Sequence, residues 1–184
     1  MTRSIIIAIC GVTLAVILFI FFGFNENTKI TGNTVFNKDT ANIEQGGIVK
    51  EVIDGDTIVI TFNDNKDRTI RLLGIDFPDI DKIKIQKWKD SGFDEIKLNY
   101  CYHKGIEDLK ELILGKKVTL KFDNNERNID TYGRILAYVY YENIFVEEYI
   151  VNKGYAVALD LSEPLCTECN KLKGLELKQG CLVE

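Results

Sequence analysis

The stretch Val52-Ile53-Asp54-Gly55-Asp56-Thr57-Ile58-Val59-Ile60-Thr61-Phe62 decides the fold. Ile48 to Ile53 and Thr57 to Phe62 are rich in β-branched residues, and the Asp54-Gly55 dipeptide between them is a turn signal. Asn63-Asp64-Asn65 marks the next turn, and Arg68 to Ile75 makes a third strand, ended by Pro78. Three short strands joined by tight turns form a meander.

Working outward, residues 80–100 read as an irregular, charged loop with Trp88 and Phe93 as anchors. Ile106, Leu109, Leu112 and Ile113 recur at helical spacing and Gly115 supplies a stop. Val118 to Phe122 and Ile135 to Tyr141 are two more strands. Phe145 to Lys153, closed by Gly154, and Cys169 to Gln179 are two more helices. Five strands, with a helix between the third and fourth, is the order of a small Greek-key barrel. The expected fold class is therefore a β-barrel with helices (α+β).

The whole chain has 184 residues, 46% of them hydrophobic and 28% charged, which excludes collagen-like and fully disordered chains. Ile5 to Phe24 is a run of 20 residues without a charge, long enough to cross a hydrocarbon core of roughly 30 Å. Its end, Phe21-Phe22-Gly23-Phe24-Asn25, lacks the small residues of a signal-peptide cut, so an uncleaved anchor is expected over 1–24, with a cleaved signal peptide as the alternative. Arg3 before the run and the cancelling pair Glu26 and Lys29 after it place the remainder outside the membrane. Residues 25–45 are polar and aperiodic, a flexible linker, and 46–184 form the folded domain. The net charge of −5 excludes nucleic-acid binding by bulk positive charge. Any polyphosphate must be met by a few placed cations or a metal.

The charges that bear on chemistry sit at strand ends. Asp54 and Asp56 flank a glycine turn, Arg71 interrupts the apolar run Ile70 to Ile75, and Asp76 closes that run before Phe77-Pro78-Asp79. Asp130-Thr131-Tyr132-Gly133-Arg134 leads into the fifth strand. Each has an ordinary explanation as a turn acid, a solvated arginine or a surface ion pair. Together they form a set with a purpose: hard carboxylate oxygens suit Ca²⁺ or Mg²⁺, and two guanidiniums suit a phosphate. A divalent cation and two arginines around one phosphodiester would stabilise a pentacoordinate dianion.

These three runs, in this order, resemble the staphylococcal nuclease (thermonuclease) family. Ile113-Leu114-Gly115-Lys116-Lys117-Val118 and Val146-Glu147-Glu148 before Asn152-Lys153-Gly154 are similar to its connections, and the similarity covers about 47–184. The resemblance implies a five-stranded OB-fold barrel with three helices and a Ca²⁺-dependent phosphodiesterase acting on DNA and RNA. It implies Asp56, Asp76 and the main-chain carbonyl of Phe77 as metal ligands and Arg71 and Arg134 as the grip on the scissile phosphate. Asp79 takes the place of the glutamate drawn as the base, and Tyr132 is the expected substrate contact. Cleavage of the bond to the 5′ oxygen would leave a 3′ phosphate. Three departures stand out: Asp79 is one methylene shorter than glutamate, Thr131 replaces a common lysine or arginine, and Asp160 lies near the place of a nucleotide-contacting tyrosine. Slow hydrolysis is therefore expected.

Cys10 falls in the apolar run, leaving Cys101, Cys166, Cys169 and Cys181 outside it. Two disulfides, a zinc site shared with His103, a redox Cys-x-x-Cys and free thiols are all compatible with the spacing. His103 has no orienting acid nearby in sequence and is not expected to be a catalytic base. Two other classes compete with the nuclease: an OB-fold module that binds nucleic acid without effective catalysis, and a structural envelope domain whose charges only solvate strand ends. No obligate protein partner is evident.

Overall fold

The computed structural model describes residues 45–159, 166–175 and 180–182, the side chains of 45 and 82–84 excepted. The expected anchor, nearly all of the linker and Asp160 lie outside the described residues, among which no helix is long and apolar enough to cross a membrane.

The first three strands are β1 (Gln45–Val52), β2 (Thr57–Phe62) and β3 (Asp67–Leu72). They pair antiparallel as the turn signals require, with Val52 opposite Ile58 and Ile58 opposite Ile70. Because side chains alternate across a strand, Ile58, Ile60, Ile70 and Leu72 all point into the barrel and are buried. Arg71, between two of them, must point to the other face. A register shift between Val49 and Glu51 bends β1, and β1 then pairs with β5 (Lys117–Lys121) as well as with β2. β5 pairs antiparallel with β6 (Ile135–Tyr141), and β6 pairs parallel with β3, Arg71 opposite Leu136. That last pairing closes a five-stranded barrel, the architecture expected from the element order.

The third strand is shorter than expected. β3 ends at Leu72, a turn follows through Gly74 (φ 85°), and β4 (Ile75–Asp76) peels away to pair with β8 (Val157–Ala158). The break points Asp76 away from the line of β3.

The largest correction concerns residues 80–100, which form helices where a loop was expected. α1 (Lys82–Asp90) is short and polar, with Ile85 and Trp88 on its buried side. Asp94 then caps α2 (Glu95–Ile113), its side chain accepting the Lys97 N–H at 2.9 Å. The buried stripe of α2 is Leu98, Cys101, Gly105, Leu109 and Ile113, at helical spacing throughout. With β7 (Ile144–Phe145), α3 (Val146–Asn152) and α4 (Cys169–Leu175), the described residues hold four helices instead of three.

The glycine in the middle of α2 costs about 1 kcal/mol of helix propensity, and the packing gives its reason. A methyl group at Gly105 would lie 2.8 Å from the Phe77 ring, and one at Gly55 would overlap the same ring. Two glycines, one in the β1–β2 turn and one in α2, thus make the slot that holds Phe77 against the barrel.

The four cysteines among the described residues are paired as disulfides, Cys101 with Cys181 and Cys166 with Cys169, which removes their sulfurs from any zinc site. The first crosslinks α2 to the segment 180–182, where Cys181 and Leu182 donate N–H bonds to Lys153 and Gly154. The second lies at the start of α4, where Asp123 accepts bonds from Thr167 and from Tyr138 of β6.

Candidate active site

Where β3 meets β4 the barrel opens into a cavity of about 350 Å³. Asp54, Asp56, Arg71, Asp76, Phe77, Pro78, Asp79 and Arg134 line it, joined by Lys87 and Trp88 from α1 and Tyr102 from α2. Five side chains singled out at separate points of the sequence, Asp56, Arg71, Asp76, Asp79 and Arg134, share one space.

Asp56 stands at its floor. The β1–β2 turn is built by Asp54, whose carboxylate accepts the Asp56 N–H at 3.0 Å. The Asp56 carboxylate accepts from the Thr57 hydroxyl at 2.9 Å and from the Phe77 N–H at 3.0 Å, which ties the turn to the segment after β4. Arg71 Nη1 lies 2.6 Å from Asp56 Oδ2, while its Nη2 donates to the Ile75 carbonyl at 3.1 Å and stands 3.7 Å from Asp76 Oδ1. The Arg71 side chain is only 14% exposed. Burial pushes the Asp56 carboxyl up to about 7, against the pull of the Arg71 guanidinium and with a further push from Asp54.

Arg134 enters from the β5–β6 connection. Asp130 Oδ1 accepts the N–H groups of Tyr132 and Arg134, and Asp130 Oδ2 takes Arg134 Nε at 2.7 Å. Burial works to raise the Asp130 carboxyl, but these bonds outweigh it and hold the group below its ordinary range. The five-residue bend is thus a bracket that aims one guanidinium. Tyr132 is not on the cavity wall: the residue is 84% exposed, with the Arg134 guanidinium 5.4 Å from the centre of its ring.

Asp79 lines the cavity, with Oδ1 accepting the Asp81 N–H at 2.8 Å. The contribution of α1 was missed in the sequence because nothing in Lys82–Asp90 alternates like a strand and its buried side holds few apolar residues. The signal was there as Ile85 and Trp88, three apart, with Phe93 packing edge-on to Trp88 at 5.3 Å. Tyr102 was hidden in the first half of α2, its ring 5.6 Å from Phe77. The disulfide cysteines do not line the cavity.

The wall carries four carboxylates and three cations, so it does not attract an anion unaided. Among the described residues no three His, Cys, Asp or Glu side chains form a ready-made metal cage. A set of two carboxylates and one main-chain carbonyl, completed by water, is a different donor set, and its oxygens have the hardness that Ca²⁺ prefers. One divalent ion would turn the net charge of the wall positive. The residues present fit such an ion in charge and in chemistry.

Residues 69–178 match the family model described as Staphylococcal nuclease homologue. Among similar proteins, the SPbeta prophage-derived endonuclease YokF of Bacillus subtilis is 39% identical over 61% of this chain and 33% of its own length. Endonuclease YncB of the same organism is 38% identical over 61% of this chain and 47% of its own. The thermonuclease of Staphylococcus intermedius is 27% identical over 85% of this chain and 82% of its own. This chain thus spans between a third and a half of the two Bacillus endonucleases. With the family model covering more than half of the chain, including Arg71, Asp76, Asp79 and Arg134, the protein belongs to the staphylococcal nuclease homologue family.

Proposed function

We propose that this protein is a divalent-metal-dependent nuclease, Ca²⁺ being the expected ion, that hydrolyses phosphodiester bonds of DNA or RNA. The observation that carries the reading is the convergence of Asp56, Arg71, Asp76, Asp79 and Arg134 on one cavity. The similarity to two endonucleases and a thermonuclease agrees with it.

Asp56, Asp76 and the Phe77 carbonyl would hold the ion, which supplies Lewis-acid polarisation of a phosphoryl oxygen when bound. Arg71, fixed on Asp56 and the Ile75 carbonyl, presents its guanidinium to a phosphate oxygen. Arg134, aimed by Asp130, binds a second oxygen and stabilises charge as it builds up. Asp79 orients the attacking water and takes its proton. Buried Phe77 and Trp88 exclude bulk water from that side of the cavity.

One observation favours a slower version of the same reading, a nucleic-acid-binding module with weak catalysis. The Asp79 carboxylate is short and already accepts the Asp81 N–H, which turns it towards its own backbone. A single assay separates the two. The full chain, kept in mild detergent because of its apolar run, is incubated with supercoiled plasmid and with labelled single strands, in Ca²⁺ and in EGTA. Calcium-dependent nicking supports the nuclease. Strand binding without nicking selects the binding module, and neither result leaves the charges a structural role.

The location is part of the proposal: residues 5–24 anchor the chain and the barrel faces outward. Two disulfides suit an oxidising compartment. Release of the protein from membranes by salt or alkali alone would contradict the anchor.

A further inference from the structure

The cavity has a wall that neither the strands nor the family motifs supply. Trp88 is buried and packs on Phe93, which fixes that turn of α1 to the protein. Lys87, the residue before it, is thereby presented to the cavity, its Nζ 3.3 Å from Asp76 Oδ2. The next lysine, Lys89, is engaged elsewhere, with Glu95 at 2.6 Å. Lys87 is therefore the third cation of the cavity, after Arg71 and Arg134.

We propose that Lys87 is a substrate-binding residue that takes a phosphate of the nucleic-acid strand on the α1 side of the cavity. The proposal deepens the nuclease reading and rests on it. Its grounds are the weakness of the present contact and the chemistry around it. The Lys87 side chain is 76% exposed, and a single exposed ion pair is held by little net free energy. Asp76 also has the buried Arg71 guanidinium 3.7 Å away and does not depend on the lysine. An ammonium and a divalent ion on one carboxylate repel each other, so Asp76 would give up Lys87 on serving as a metal ligand. The flexible stem then leaves the ammonium at the mouth of the cavity, where the phosphodiester strand is the anion it meets. Thr131, on the β5–β6 connection, brings no charge to that task.

The test uses the full chain and the variants Lys87→Met and Lys87→Arg. Lys87→Met should raise KM for single-stranded DNA roughly tenfold, the worth of one hydrogen bond to a charged group, with the loss falling on KM more than on kcat. The dependence of log Kd on log salt, read by fluorescence anisotropy of a labelled, cleavage-resistant phosphorothioate strand with Ca²⁺ present, should become shallower by about 0.7. Lys87→Arg should restore the slope. Titration with Ca²⁺ alone should show Lys87→Met binding the ion a few-fold more tightly, because a competing cation is gone. An unchanged salt slope overturns the proposal, and tighter Ca²⁺ with an unchanged slope makes Lys87 only a counterion of Asp76. If the wild-type chain binds strand with a Lys87-dependent slope but cuts nothing, the nuclease reading falls and Lys87 stands. If it cuts normally while Lys87→Met keeps the wild-type slope, the reverse holds. A chain that neither binds nor cuts removes both.

Discussion

The two walls of the cavity are built by opposite means. On the barrel wall the charged groups are braced from several sides: Asp56 by Thr57, Phe77 and Arg71, Arg71 by Asp56 and Ile75, and Arg134 by Asp130, which takes both its Nε and its backbone N–H. On the helix wall Lys87 reaches Asp76 through a single exposed contact, and Asp79 turns onto its own loop. The difference teaches where precision is located. Strand pairing sets the barrel wall to within bond lengths, whereas α1 rests on Ile85 and Trp88 and leaves its polar groups room to adjust. On the proposed reading, phosphate would bind on the first wall and the second would adapt to the substrate.

The comparison makes ordered predictions. The largest effect belongs to Arg71→Ala, which should lower turnover by at least about 10²-fold through loss of a charge-stabilising donor. The same change leaves Asp56 buried without its cation, so thermal melting should also fall; wild-type activity would break the assignment of the barrel wall. Next comes Asp130→Asn, which removes the charge that aims Arg134. A loss of roughly tenfold in kcat/KM, the order of a small misplacement, is expected, and no change would show that Arg134 needs no bracket. On the helix wall Asp79→Glu should raise turnover a few-fold by restoring about 1 Å of reach. An unchanged or lower rate removes Asp79 from the role of base.

The smallest effect concerns another buried acid, on α3. Glu147 is fully buried and accepts the Val139 N–H at 3.0 Å, and burial raises its carboxyl well above the ordinary 4.5. The unfolded chain gives up that proton first, so the stability the group contributes falls as pH rises from 4.5 towards its folded value. Glu147→Gln, which keeps an acceptor for Val139, removes this loss. Its melting temperature should gain on wild type as pH rises from 5 to 8, by a few degrees for about 1 kcal/mol. A pH-independent difference would mean that Glu147 is charged in the folded barrel.

What was legible in the sequence follows the same division. β2 and β6 show their period directly, since Ile58 and Ile60, and Ile135, Ala137 and Val139, face a core. Arg71 stood out because a charge inside an apolar strand must leave the barrel interior. Helices α1 and the front of α2 were not legible, and the reason is physical. The buried side of α1 holds only Ile85 and Trp88 among its described side chains, and the stripe of α2 passes through Cys101 and Gly105, small residues in contact with Cys181 and Phe77, so the apolar period fades where packing is tightest. Lys87 could not be placed without α1. The cysteine pairing could not be read from spacing, because the partner of Cys101 lies 80 residues away.

The parallel pairing of β3 with β6 is the seam of the barrel, and it lies between the two arginines. Arg71 is on one of its strands and Arg134 immediately precedes the other, with the Leu73 N–H bonded across to Ala137 at 3.1 Å. Unzipping only this seam would part the two guanidiniums while leaving the meander and α2 intact. Binding of a phosphate that both arginines hold would therefore fasten the seam shut, and slower amide exchange at Leu73 on adding a short oligonucleotide would record the closing of the cylinder.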